Sequence, residues 1–340
     1  MTKKIIFRAD GNSNIGLGHL FRLFALIEMY KEHYECIFVT KENSTLSVFS
    51  KKHNLVILPK NINIYEESNW LAENFSPNEH CIILDGYQFN FSYQKKIKKV
   101  GFKLVFIDDN IEKEIAADIV VNHSLFVTEA HFGTHKNVIF GLGSKYAILR
   151  PLFLEESKRN REIKTITKVF ICFGGADFNN LTHKCLNAIV EFSDFKEIHI
   201  VLGSAYKQKE IYRTIEQNCS KVFLHKKLDE KEMIGLMKKC DFAIVPSSTI
   251  SYEVCAVNMI ILSGYYIDNQ LSIYKGLINN SLIYSAGNFN EMDEVDFKNK
   301  ILEVINDSQE NYKIMLENQK HFFDGMQKSR FLELTKELLC

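Results

Sequence analysis

Short apolar runs and helix-spaced stretches alternate along the first half of the chain. KIIFRA reads as a buried strand, and HLFRLFALIEMYKEH carries Leu20, Leu23, Phe24 and Ile27 at helical spacing. ECIFVT is the next strand, TLSVFSKKHN a helix, and LVILP, HCIILDG and KLVFIDD further strands, the last two closing on acidic residues. ADIVVNHS and NVIFGLG complete this half. Apolar runs of this length, separated by helices, predict a parallel sheet covered on both faces.

The pattern breaks at RPLFLEESKRNREIKT, a polar stretch with one of the few prolines. It then restarts. KVFICFGGADFNNLTHKCLNAIVEF is strand, glycine turn and helix, and it echoes KIIFRADGNSNIGLGHLFRLFALI. EIHIVLG, KVFLHK, DFAIVPSS, MIILSGYY and SLIYSA supply further strands, and the tail from about Val295 is helical. The expectation is α/β: two doubly wound domains in tandem, residues 1–150 and 166–340, joined by a linker over 151–165. Ligands of such sheets bind at the carboxyl ends of the strands, so two domains facing across a cleft would place their ligand there.

Composition narrows the class. The chain has 340 residues and is 46% hydrophobic, with 42 basic against 42 acidic side chains. Zero net charge argues against a nucleic-acid footprint. The 8 cysteines are scattered without a Cys-x-x-Cys pair, as expected of free buried thiols in a reducing compartment. No window reaches the roughly 18 apolar residues of a membrane span, and the first residues are too short for a signal core. A cytoplasmic monomer acting on a small molecule is the expectation, with no metal and no cofactor. His131 and His135 lie four apart in HFGTH, but no third ligand is near in sequence.

The candidate chemistry sits on strand-to-helix turns. In RADGNSNIGLGHLFR, Gly11, Gly16 and Gly18 free backbone N–H groups at the positive end of a helix, a setting that attracts phosphate. The alternative is a tight βα turn with no ligand. His19 falls in the first helical turn, where the helix dipole disfavours imidazolium, and a neutral ring can take a proton from water. A polar residue without chemistry is the other reading. Gly174 and Gly175 form a second such turn, with Asn179, Asn180 and Thr182 beyond it. In VPSSTISYEVCAV, the hydroxyls of Ser247, Ser248 and Thr249 stand at a helix start, and Glu253 follows one turn on, suited to a ribose diol or to capping. Asp85 and Tyr87 of LDGY, Asp108 and Asp109 of FIDDN, and Asn269 and Gln270 of IDNQ end other strands.

Taken in order, RADGNSNIGLGHLFR, LDGY, FIDD, ILRPLF, FGGADFNNLT, STISYE and DNQ resemble the UDP-2,4-diacetamido-2,4,6-trideoxy-β-L-altropyranose hydrolases of pseudaminic acid biosynthesis, from about Lys4 to Gln270. The Gly-x-Gly-His-x-x-Arg run is the most specific part. The loops are also similar to those of the wider GT-B glycosyltransferases. The resemblance implies a GT-B fold and hydrolysis of a UDP-sugar to free sugar and UDP. His19 would be the base, with Tyr87 and Asn269 near the sugar. Asp10, Gly16, Gly18, Arg22, Gly174, Gly175, Ser247, Ser248, Thr249, Glu253 and Gln270 would line the substrate. Asp10 or a nearby carboxylate would orient the imidazole. Three features depart from the family pattern: Pro246 before the serines, where Ser247 would replace a lost backbone donor, the aromatic Phe178, and NMIILSGYYIDNQ with two tyrosines near the sugar end. The rivals are a UDP-sugar glycosyltransferase and a non-catalytic nucleotide-sugar-binding protein.

Overall fold

The computed structural model describes residues 4–12, 15–48, 54–203 and 205–339. The chain divides into two compact units, one of Met1–Pro151 with Met326–Cys340 and one of Leu152–Gly325. In the first unit, β1 (Lys4–Arg8) leads into α1 (Gly18–Tyr30), followed by β2 (Cys36–Lys41), β3 (Asn54–Leu58), α2 (Glu67–Asn74), β4 (His80–Asp85), α3 (Phe91–Lys99), β5 (Lys103–Ile107), β6 (Ile119–Asn122) and β7 (Ile139–Leu142). The strands pair in parallel in the order β3-β2-β1-β4-β5-β6-β7. Every residue of the central β4 is buried, as a strand covered on both faces requires. Of the expected helix over residues 45–54, Leu46–Val48 form a single 3₁₀ turn, and residues 49–53 lie outside the described part.

The second unit opens with α4 (Pro151–Glu156) and β8 (Lys168–Ile171), then α5 (Leu181–Ile189), β9 (Glu197–Leu202), α6 (Glu210–Gln217), β10 (Val222–Lys226), α7 (Glu230–Lys239), β11 (Phe242–Pro246), α8 (Thr249–Ala256), β12 (Ile260–Tyr265), α9 (Leu271–Asn279), β13 (Tyr284–Asn288), α10 (Glu294–Ile305) and α11 (Gln309–Phe322). Its six parallel strands run β10-β9-β8-β11-β12-β13. Both sheets therefore reverse their winding beside the first strand, between β1 and β4 and between β8 and β11. Loops that leave such a pair diverge to opposite faces and open a crevice at the strand ends. The opening glycine motif and the second glycine turn each leave one of these strands.

Two expected boundaries shift. The stretch 151–165 is not a plain linker: α4 buries Phe153 and Leu154, and the Arg161 guanidinium donates to the carbonyls of Met237 and Cys240. The last helix, α12 (Gln327–Leu339), belongs to the first unit rather than the second. Its Phe331, Leu338 and Leu339 need an apolar cover, and they find it on the first sheet's side. The Tyr30 hydroxyl donates to the Phe331 carbonyl at 3.0 Å, and Tyr146 meets the Phe331 ring edge-on. Among the described residues, no helix is long and apolar enough to cross a membrane.

Candidate active site

The turn from β1 into α1 is built by glycine. Gly16 has φ +82° and donates its N–H to the Asn12 carbonyl at 2.8 Å, closing the loop. Among the described residues, a side chain added at Gly16 or Gly18 would meet nothing within 4 Å. Leu17, the residue at the N-cap of α1, has no side chain that caps the helix. Among the described residues, the first N–H groups of α1 and its positive end are therefore suited to an acceptor.

His19 sits in that first turn, largely buried. Its Nδ1 lies 2.7 Å from Asp85 Oδ1, at the end of the neighbouring strand β4. Burial alone would raise the Asp85 carboxyl, but the charge of Arg22 and the hydrogen bonds from Arg22 and His19 override it and hold it at about 2. An ionised carboxylate only accepts, so the proton of this bond belongs to Nδ1, which makes Nε2 the nitrogen that carries the lone pair in the neutral ring. The Tyr87 ring stands edge-on to His19 with centroids 4.8 Å apart, and it is half exposed.

Arg22, one turn along α1, faces the same carboxylate. Its Nε donates to Asp85 Oδ2 at 2.6 Å and its Nη2 to Oδ1 at 2.5 Å. Its Nη1 reaches both Asp109 oxygens, at 2.9 and 2.7 Å. His123, at the end of β6, approaches Asp109 at 4.0 Å. Burial pushes the His123 ring down to about 4. A small pocket beside His19, lined also by Tyr87, Asn90, Asp109 and Asn110, encloses about 10 Å³, room for one water.

This geometry corrects two assignments in the first unit. Asp10 does not orient the imidazole, and its carboxylate is not open to a ligand. Arg8 grips it at 2.6 and 2.8 Å, and Thr40 and the Lys41 N–H donate to it as well. Arg8 is itself fully buried and shared with Glu67, so the Asp10 charge is spent on a structural pair. Arg22 is likewise turned inward: both edges of its guanidinium are taken by carboxylates. Asp85 and Asp109 are the carboxylates that gather His19 and Arg22, which strand-end acidity alone did not single out. Their signal lay in the sheet order, because β4 and β5 follow directly beside β1.

In the second unit, the turn at Gly174 (φ +85°) and Gly175 is pressed against Gly203, where an added Cβ would fall 2.2 Å from the Gly175 carbonyl oxygen. The start of α5 behind it is already satisfied: the Asp177 carboxylate accepts from the N–H groups of Leu181 and Thr182, both at 2.8 Å. Only the turn itself, and not the α5 terminus, remains for an anion.

At the end of β11, Ser247 does not replace a lost donor for phosphate. It continues the strand, fully buried, with its Oγ 2.9 Å from Ser263 Oγ. Ser248 and Thr249 stand half-buried at the start of α8, where the N-cap Ser248 makes no side-chain capping bond. Glu253 lies one turn on and is buried. Gln270 spends its Oε1 on the Tyr266 N–H at 3.0 Å and so holds its own turn, while the neighbouring Asn269 is exposed.

Residues 153–327 match the family described as Protein of unknown function (DUF354), and the chain belongs to that family. The UDP-2,4-diacetamido-2,4,6-trideoxy-beta-L-altropyranose hydrolase of Campylobacter jejuni is 27% identical over 79% of this chain and 94% of its own length. An uncharacterized protein of Methanocaldococcus jannaschii is 26% identical over 80% of the chain, and the match spans 57% of that protein. Among solved structures, MurG of Acinetobacter baumannii superposes with a TM-score of 0.65 at 10% identity, covering 98% of this chain and 99% of that one. The fold is the GT-B fold.

Proposed function

We propose that this member of the DUF354 family is a nucleotide-sugar enzyme, and specifically a hydrolase of a UDP-linked 2,4-diacetamido-2,4,6-trideoxy sugar. The observation that carries the reading is His19 on the glycine turn, with Nδ1 bound to the ionised Asp85, so that Nε2 is the nitrogen free to act as the base. His19 Nε2 takes a proton from water. The water oxygen bonds to the anomeric carbon, and the bond from that carbon to the diphosphate oxygen breaks. UDP leaves with the electron pair, and His19 returns its proton to solvent.

Hydrogen-bond donors aimed at a leaving diphosphate stabilise its developing charge. The turn at Gly174 and Gly175 and the start of α8 with Ser248 and Thr249 are suited to that task. Glu253 suits the ribose hydroxyls, and Tyr87 and Asn269 the sugar. The likeness to the Campylobacter hydrolase along most of both chains supports the substrate class. The proposal is of a cytoplasmic enzyme.

A second reading rests on Ile15 and Phe21, both about half exposed on either side of the glycine turn. Apolar groups there would suit an acceptor, and the enzyme would then be a glycosyltransferase. Proton NMR of the protein with UDP-2,4-diacetamido-2,4,6-trideoxy-β-L-altropyranose and no acceptor separates the two. Free sugar and UDP are expected, and turnover in His19→Asn is expected to fall by roughly 10²–10⁴. Wild-type turnover in His19→Asn would refute the mechanism, and intact substrate with the native protein would refute the hydrolase.

A further inference from the structure

Asp109 does not touch His19, yet it closes a chain of charges that ends there. His19, on α1, faces Asp85 from β4, Tyr87 from the turn after β4, Arg22 from its own helix, Asp108, Asp109 and Glu112 from the turn after β5, and His123 from the end of β6. Asp108 is turned away into its own turn, where it accepts from the N–H groups of Asn110, Ile111 and Glu112 at 2.7–3.0 Å. The direct contacts form a triangle with one arm: His19 meets Asp85, Asp85 meets Arg22, Arg22 Nη2 also stands 3.2 Å from His19 Nδ1, and Asp109 joins through Arg22.

The charge balance within that cluster matters. The Arg22 guanidinium binds Asp85 through two nitrogens, at 2.6 and 2.5 Å, and a cation held that close cancels most of the carboxylate's field at the imidazole. Arg22 and Asp85 alone would be a neutral pair, a poor partner for an imidazolium. Asp109 takes the opposite edge of Arg22 and returns a negative charge to the cluster.

We propose that Asp109 is a positioning residue which, through Arg22, leaves the His19–Asp85 pair with the net negative charge that a general base needs to accept a proton. This rests on the reading of His19 as the base. It also explains why the arginine of the glycine motif faces inward: it couples two carboxylates rather than binding substrate.

The test is a charge cycle of Asp109→Asn, Arg22→Gln and the double variant, with two readouts. One is the acid limb of the pH profile of kcat/KM for UDP-sugar hydrolysis. The other is the NMR titration of the His19 ring in the substrate-free protein, assigned with His19→Asn. Removing the anion in Asp109→Asn is expected to move both midpoints to lower pH by roughly one unit, and removing the cation in Arg22→Gln to move them higher by a similar amount. The double variant leaves Asp85 alone and is expected to return close to the native midpoint.

A merely structural link predicts a double variant at least as impaired as the worse single, with no opposed signs, and that outcome overturns the proposal. So does a His19 titration in Asp109→Asn that stays at the native midpoint. Should Asp109→Asn not fold, the double variant compared with Arg22→Gln carries the same sign, since it leaves no buried cation unpaired. The two readings fail separately: full turnover in His19→Asn removes the catalytic role, while the ring titration still reports the coupling.

Discussion

Replacing Asp85 with asparagine changes one atom at the centre of the first unit. The carboxylate is fully buried, and it accepts three bonds: His19 Nδ1 and Arg22 Nη2 on one oxygen, Arg22 Nε on the other. An amide has one oxygen to offer. With that oxygen toward His19 and Nη2, its NH₂ meets the Arg22 Nε–H, donor against donor. With the NH₂ toward His19, the imidazole must present a bare Nδ1, its proton moves to Nε2, and the base is lost. Either way Arg22 loses a buried counter-ion. Breaking a buried pair from one side costs about 3–5 kcal/mol. In a unit of this size that is roughly 6–20 °C in the melting temperature, at 2–4 °C per kcal/mol. Turnover should fall by about 10²–10⁴, the contribution of a positioned base. Differential scanning calorimetry follows the melting, and UDP release follows the turnover. An Asp85→Asn protein melting within about 1 °C of the native one, with turnover within a factor of about two, would refute the reasoning.

Other outcomes follow from the same coordinates. His123 is buried with a midpoint of about 4, against 6.5 for the unfolded ring, so between those values the unfolded chain binds a proton that the folded one refuses. Stability from this group is complete above pH 6.5 and is lost as pH falls through 4, on the order of 3 kcal/mol, so thermal melts should show that slope and His123→Leu should flatten it. Gly203→Ala drives a methyl to 2.2 Å from the Gly175 carbonyl oxygen. It should destabilise the second unit by about 1–3 kcal/mol and weaken UDP binding by calorimetry, and an unchanged Kd would detach the glycine turn from the nucleotide.

Much of this protein is local and was legible along the chain. Apolar runs and helical spacing expose the repeated strand-turn-helix units, because burial on both faces of a parallel sheet forces continuous apolar strands. The glycines of the first turn and the placement of His19 at a helix start are also local, since Gly16 at φ +82° needs no distant partner. Which carboxylate serves His19 is not local. Asp10 is nine residues from it in sequence and Asp85 is sixty-six, yet sheet order sets β4 beside β1 while Arg8 claims Asp10. The inward turn of Arg22 depends on Asp109 from the turn after β5, the burial of Ser247 depends on Ser263 across a ladder, and the return of α12 depends on an uncovered apolar face elsewhere. Periodicity and turn chemistry come from neighbours in the chain. Charge pairing and covering surfaces come from neighbours in space, and only the folded sheets decide who those are.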